Sequence, residues 1–233
     1  MVLFLHGIIK EMLYIISTPI GNLKDVSQRA IETLGLVDVI IAESPTDSMR
    51  LLNAYSISGK KIFKYNDRNK KGVSSKILEL LKNNNVAYIS SAGTPGISDP
   101  GQDLVEMACQ AGIEVCVIPG PSALVSAVAM SGFRSRQFTF VSFPPKKTGQ
   151  LKKLFEEQAD RQEILVFFES PYRVLKTLEI LFQTIPSAKV CVAKEMTKIF
   201  ERYFRGGVGE VIKQIKSDPK NLKGEFVIVV DFS

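Results

Sequence analysis

The chain of 233 residues contains one histidine, no tryptophan and three cysteines, and each scarcity removes a class of chemistry. His6 is the only imidazole, so a histidine base, a His-containing triad or a His-rich metal site would have to use it. Its place in an odd apolar N-terminal stretch argues against all three. Cys109, Cys116 and Cys191 are odd in number and scattered, with no CxxC pair, which argues against a disulfide framework or a structural zinc and fits a reducing cytosol. No apolar run approaches the roughly 18–20 residues of a membrane-spanning helix. Walker A and GxGxxG sequences are missing, so the common phosphate and dinucleotide loops are unsupported.

What is present describes a folded protein. Hydrophobic residues make up 45% and charged residues 23%, and the length suits two small domains. Residues 1–11 lack the basic leader and cleavage site of a signal peptide, and Met12 directly precedes a strand pattern; 1–11 are expected to be an extension. Apolar runs then alternate with helical periods. Strands are predicted over 12–18, 37–42, 62–65, 86–90 and 113–118, with helices over 27–36, 47–55, 74–82 and 102–111 between them. Such alternation predicts a mainly parallel sheet covered on both faces. A second cycle predicts strands over 138–143, 164–168 and 189–193 with helices over 150–158 and 173–184. The chain ends in an edge or antiparallel strand over 200–205, a helix over 209–216 and a strand over 225–232. The fold class is therefore α/β with two α/β domains, 12–125 and 126–233, the second with a mixed sheet.

Net charge is +6, which suggests an anionic partner. Lys60, Lys61, Lys64, Arg68, Lys70 and Lys71 cluster around a single acid, Asp67, and Lys146, Lys147, Lys152 and Lys153 form a second cluster. Neutralising phosphates is one reading and solvated loops the other.

Four turns join a strand end to a proline: Glu43-Ser44-Pro45, Ser98-Asp99-Pro100, Gly120-Pro121-Ser122 and Glu169-Ser170-Pro171. Each reads as an N-cap followed by proline at the first helical position. They fall at the carboxyl ends of strands, where open α/β sheets bind ligands. The segment 91–101 has three glycines and two prolines, a rigid loop able to hold a small polar ligand through its main chain. A tight structural connection would look the same.

Six segments occur in order: Thr18-Pro19-Ile20-Gly21-Asn22-Leu23, 92–101, Ile118-Pro119-Gly120-Pro121-Ser122-Ala123, Glu169-Ser170-Pro171-Tyr172-Arg173, Lys194-Glu195-Met196-Thr197-Lys198 and Lys223-Gly224-Glu225-Phe226. Together they resemble the small-subunit ribosomal RNA 2′-O-ribose methyltransferase I family of the tetrapyrrole-methylase superfamily. The resemblance runs from Met12 to the C-terminus. It implies two class III methyltransferase domains with S-adenosylmethionine between them, a cytoplasmic homodimer, and a cytidine ribose in the decoding region of 16S rRNA as substrate, with no metal. By motif position the cofactor would meet Ile20, Thr94, Ile97, Ser122, Ala123, Phe168, Glu169, Ala193, Lys194 and Gly224.

Three positions depart from the family pattern. Glu43 is followed by Ser44-Pro45-Thr46 instead of Asp-Thr-Arg, Ser91 stands where aspartate is usual, and Tyr172 replaces histidine. Methyl transfer to a hydroxyl needs alignment of donor and acceptor and a destination for the hydroxyl proton. Glu43, Glu169, Lys194 and Lys198 are the candidate bases, with Glu43 expected on the substrate side; a lysine serves only if its pKa is lowered. Lys60, Lys61, Arg68, Lys70, Lys71, Lys146 and Lys147 are expected to hold RNA, with Arg173 steering phosphate. Two alternatives are a small-molecule methyltransferase acting on a tetrapyrrole and an RNA-binding relative without catalysis.

Overall fold

The computed structural model describes residues 11–134 and 137–233. His6 and the expected extension up to residue 10 lie outside the described residues. The chain divides into two compact units between Ser122 and Ala123.

In the first unit β1 (Met12–Ile16), β2 (Val39–Ala42), β3 (Lys61–Lys64), β4 (Val86–Ile89) and β5 (Glu114–Ile118) form an all-parallel sheet in the order β3-β2-β4-β1-β5. Every residue of β2 and β4 is buried, as continuous apolar strands covered on both faces should be. Helices α1 (Gln28–Leu36) and α2 (Pro45–Ala54) set Ala30, Leu34, Leu51 and Leu52 against Ile16, Ile40, Ala87 and Ile89 on one face. On the other, α3 (Lys70–Asn83) and α4 (Gly101–Gln110) set Ile77, Leu81, Leu104 and Ala108 against Leu13, Ile15, Val39, Ile41 and Tyr88. Each fully buried aliphatic side chain of this kind stabilises the fold by about 1.5–3 kcal/mol. The helix that follows β1 and the helix that follows β4 thus cover opposite faces, although β1 and β4 are neighbours. That is a topological switch point, and the loops leaving the two strands part at its carboxyl edge.

The second unit holds α5 (Ala123–Ser131), β6 (Phe138–Phe140), α6 (Thr148–Arg161), β7 (Ile164–Glu169), α7 (Val174–Thr184), β8 (Lys189–Lys194), β9 (Arg202–Gly207), α8 (Val208–Lys216) and β10 (Phe226–Asp231). Its sheet runs β6-β7-β10-β8-β9, with β6 and β7 parallel and the remaining pairs antiparallel. The mixed sheet agrees with the sequence. One face, with Leu165, Phe167, Val190, Val192, Phe204 and Ile228, packs on α6, α7 and α8. Helix α5 packs on β10, β8 and β7, and Arg205 ties its end down by donating from Nε and Nη2 to the Met130 carbonyl at 3.0 and 2.6 Å.

Local readings differ from the sequence in three places. The apolar run 123–131, which straddles the expected division at 125/126, is a helix of the second unit, and the division falls three residues earlier. Ser44 does cap α2, its Oγ accepting from the Asp47 amide, with Pro45 at the first position. Asp99 and Ser170 are not the N-cap residues: α4 starts at Gly101 after Pro100 and α7 at Val174 after Arg173, because Pro100 and Pro171 fall inside preceding turns. The last edge strand starts at Arg202, and Phe200 sits in the turn before it.

Candidate functional site

In the first unit the loops at the carboxyl edge are stitched together. Thr18 and Gly93 exchange backbone hydrogen bonds at 2.9 and 3.0 Å. Ser17 Oγ donates to Thr94 Oγ1 at 3.0 Å, and Thr94 Oγ1 donates to the Pro121 carbonyl at 3.2 Å. Gly93 takes φ +78°, and a Cβ there would press on Ile20 Cγ2 at 3.4 Å. The structure therefore brings Ile20, Thr94 and the 120–122 turn, with Ser122 at its end, to one place. Ile97 stays 43% exposed on the same loop.

A buried tyrosine and a carboxylate fix the far half of that loop. Asp99 accepts from the Gly96 amide at 2.9 Å, the Gly101 amide at 2.8 Å and the Tyr88 hydroxyl at 3.2 Å. Burial, and then the charge of Asp99, push the Tyr88 phenol upward, so it remains a donor. A Cβ on Gly101 would meet the Gly96 nitrogen at 2.7 Å, so the turn closes only around glycine. The sequence offered Asp99 as a helix cap; its position midway between Gly96 and Gly101 was the available sign of this role. Glu43, at the end of β2, accepts from the Ser91 amide through Oε2 at 3.0 Å, and its other oxygen accepts no hydrogen bond among the described residues.

In the second unit, Phe226 of β10 lies between Glu169 and Lys194, and Val227 lies between Phe168 and Ala193. The pairing brings those four predicted residues to one end of the sheet. Gly224 just precedes, at φ +100°, and a Cβ there would overlap the Glu195 side chain. Glu195 Oε1 accepts from the Glu225 amide at 2.9 Å and from Lys198 Nζ at 3.1 Å, while Lys198 also reaches Glu225 Oε2 at 2.9 Å. Burial alone would lower the Lys198 ammonium, but the Glu225 and Glu195 carboxylates outweigh it and hold it above its ordinary value. Lys198 is thus held as an ammonium, the opposite of the lowered value that a lysine base needs. Lys194 is buried, its ammonium makes no hydrogen bond or ion pair to another described residue, and its charge helps to lower Glu195.

Other predicted residues are engaged in the fold. Glu169 is buried and accepts from Thr177 Oγ1 at 2.6 Å and from the Ser170 amide at 2.8 Å. Arg173 lies 3.4 Å from Glu169 and donates to the Pro144 and Pro145 carbonyls at 3.4 and 3.1 Å. Its guanidinium pins the 144–145 loop. Lys60 donates to the Gly35 and Val37 carbonyls at 2.6 and 2.7 Å, closing the end of α1. Lys70 is held by Asp103 at 2.5 Å and Asp67 at 3.0 Å, and those bonds raise its ammonium further. Lys61, Arg68, Lys71, Lys146 and Lys147 are exposed. Tyr172 is 96% exposed.

The family described as Tetrapyrrole (Corrin/Porphyrin) Methylases matches residues 12–212, a span that takes in the whole parallel sheet and most of the mixed-sheet unit. Among curated proteins, the ribosomal RNA small subunit methyltransferase I of Thermotoga maritima is 44% identical, covering 94% of this chain and 97% of its own. Proteins of that name from Haemophilus influenzae and Hydrogenobaculum sp. are 40% and 38% identical over 94% of this chain, and 78% and 94% of theirs. The chain belongs to this methyltransferase I family of the tetrapyrrole methylases.

Proposed function

We propose that the protein transfers a methyl group from S-adenosylmethionine to the ribose 2′-hydroxyl of a cytidine in the decoding region of 16S rRNA, as a cytoplasmic homodimer. The observation that carries this reading is the loop cluster of the first unit, in a chain whose named relatives are small-subunit rRNA methyltransferases. The cluster fits a ligand that is part polar and part apolar. Thr94 offers a side-chain hydroxyl, and Ile20 and the 43% exposed Ile97 offer apolar contact.

The bound sulfonium supplies an electrophilic methyl carbon. The chain's own work is to hold and orient. Ile20, Thr94, Ile97 and Ser122 would hold the cofactor in the first unit. Ala123, Phe168, Glu169, Ala193, Lys194 and Gly224 would do so in the second, largely by main-chain atoms. Fixing donor and acceptor in line supplies several kcal/mol of barrier reduction, on the order of 7–11 at the upper end. Glu43, with one carboxylate oxygen occupied by Ser91 and the other open, would orient the acceptor hydroxyl and accept its proton.

The test is methyl incorporation from labelled S-adenosylmethionine into small ribosomal subunits lacking the modification, with mapping of 2′-O-methyl positions. One labelled cytidine ribose in the decoding region is expected. No incorporation by protein that binds the cofactor would overturn the reading.

A further inference from the structure

We propose that the second unit carries a binding site for a single RNA strand in the cavity between the turn 195–202 and the segment 218–224. The inference rests on the rRNA reading above and adds to it a surface outside the basic clusters at 60–71 and 146–153. The cavity has a volume of about 600 Å³, within the range of functional ligand sites. Arg202, Lys220 and Lys223 line it together with Phe200, and its inner end reaches Lys194 and Gly224, which the reading above gives to the cofactor.

The acids there, Glu195, Glu201 and Asp218, are held in place by the fold, whereas Arg202, Lys220 and Lys223 make no ion pair among the described residues. Glu195 holds the Glu225 amide and Lys198. Glu201 accepts from the Thr197 amide and the Tyr203 hydroxyl, and Asp218 accepts from the Lys220 amide. By contrast, the ammonium groups of Lys220 and Lys223 have no partner among the described residues. Arg202 gives one bond to Asn221 at 2.9 Å, leaving most of its five donors. Lys60 and Lys70, in the cluster that charge alone would choose, are committed to carbonyls and carboxylates.

An apolar lip completes the site. Ile199 is 90% and Phe200 69% exposed. This exposure is built in, because the turn is locked: Glu195 and Thr197 hold positive φ of 51° and 63°, and Lys198 staples the turn to Glu225. A fixed, exposed aromatic ring beside unpaired cations is the arrangement that stacks one base and neutralises its flanking phosphates. Single-stranded RNA presents both groups together.

The test uses the full chain and a 16S rRNA fragment spanning the decoding region, with affinity measured over a range of salt. Lys220→Ala/Lys223→Ala is expected to weaken binding about ten- to a hundredfold and to lower the slope of log affinity against log salt by about 2. Phe200→Ala is expected to weaken binding about tenfold with the slope unchanged. The midpoint of urea unfolding should be unaltered in both, which reports that they are folded. Unchanged RNA affinity and slope in both variants would overturn this site and leave the proposed function standing. Failure of the unaltered protein to bind the fragment would overturn the rRNA reading and the site with it. A lower sedimentation coefficient of Phe200→Ala without RNA would give the surface to a second copy of the chain and overturn the proposal.

Discussion

The Glu195 carboxylate holds two segments together, and its neighbours are constrained accordingly. Gly224 must be glycine twice over: its φ is +100°, and a Cβ would overlap a side chain already pinned by Lys198 and the Glu225 amide. Gly224→Ala should cost about 1–3 kcal/mol in urea unfolding, since the pinned carboxylate cannot swing away freely. The same carboxylate gives a pH signature. Burial would raise it, but the Glu225 amide and the Lys198 ammonium bring it below its ordinary value of 4.5. A depressed carboxyl contributes stability above its unfolded value, and loses it as pH falls through the lower folded value. Lys198, raised, contributes below its ordinary value of 10.5 and loses that contribution as pH rises through its folded value. Glu195→Gln should therefore flatten the acid limb of a stability–pH profile below about pH 4.5, by under about 1 kcal/mol because Lys198 is partly solvated. An acid limb as steep as that of the unaltered protein would refute the assignment.

Helix α1 ends against a lysine that the sequence marks as part of a basic cluster. Lys60 donates to two carbonyls at that end, where the helix dipole is negative. Lys60→Ala should lower stability by about 0.5–1 kcal/mol and leave RNA affinity unchanged. Lys71→Glu is the converse case: an exposed residue of α3 whose reversal should weaken RNA binding without a loss of stability. Reversal of Lys70 would set a carboxylate against Asp67 and Asp103 and confound the two effects. The contrast shows what was legible. Apolar runs such as 39–42 and 86–89 declared parallel strands because burial on both faces leaves no room for polar residues. The loops Thr18–Gly21 and 91–101 declared themselves by glycine and proline. Lys60, Arg173 and Asp99 did not, because their partners are brought near by tertiary folding: Gly35 and Val37 for Lys60, the 144–145 carbonyls for Arg173, and Tyr88 for Asp99. Helix α5 was missed for another reason. Its apolar residues recur at nearly every position, so no helical period stands out.

Across the whole molecule the net charge of +6 acts on its two proposed ligands in opposite senses. RNA is a polyanion, and binding it releases counterions for each phosphate neutralised. S-adenosylmethionine carries one net positive charge at neutral pH, from its sulfonium and amino groups against its carboxylate. Raising salt from about 50 to about 200 mM should therefore weaken RNA binding by about three hundredfold if some six phosphates of a single strand are engaged. Over that range cofactor affinity should stay level or rise slightly, because screening relieves repulsion between a cationic ligand and a cationic protein. Titrations of each ligand at four or five salt concentrations would check both halves. A steep RNA slope beside a flat cofactor slope would place the excess charge in the service of the substrate. A flat slope for RNA would mean that the basic residues serve the fold, as Lys60 and Lys70 do, and would favour a small-molecule acceptor over a nucleic acid.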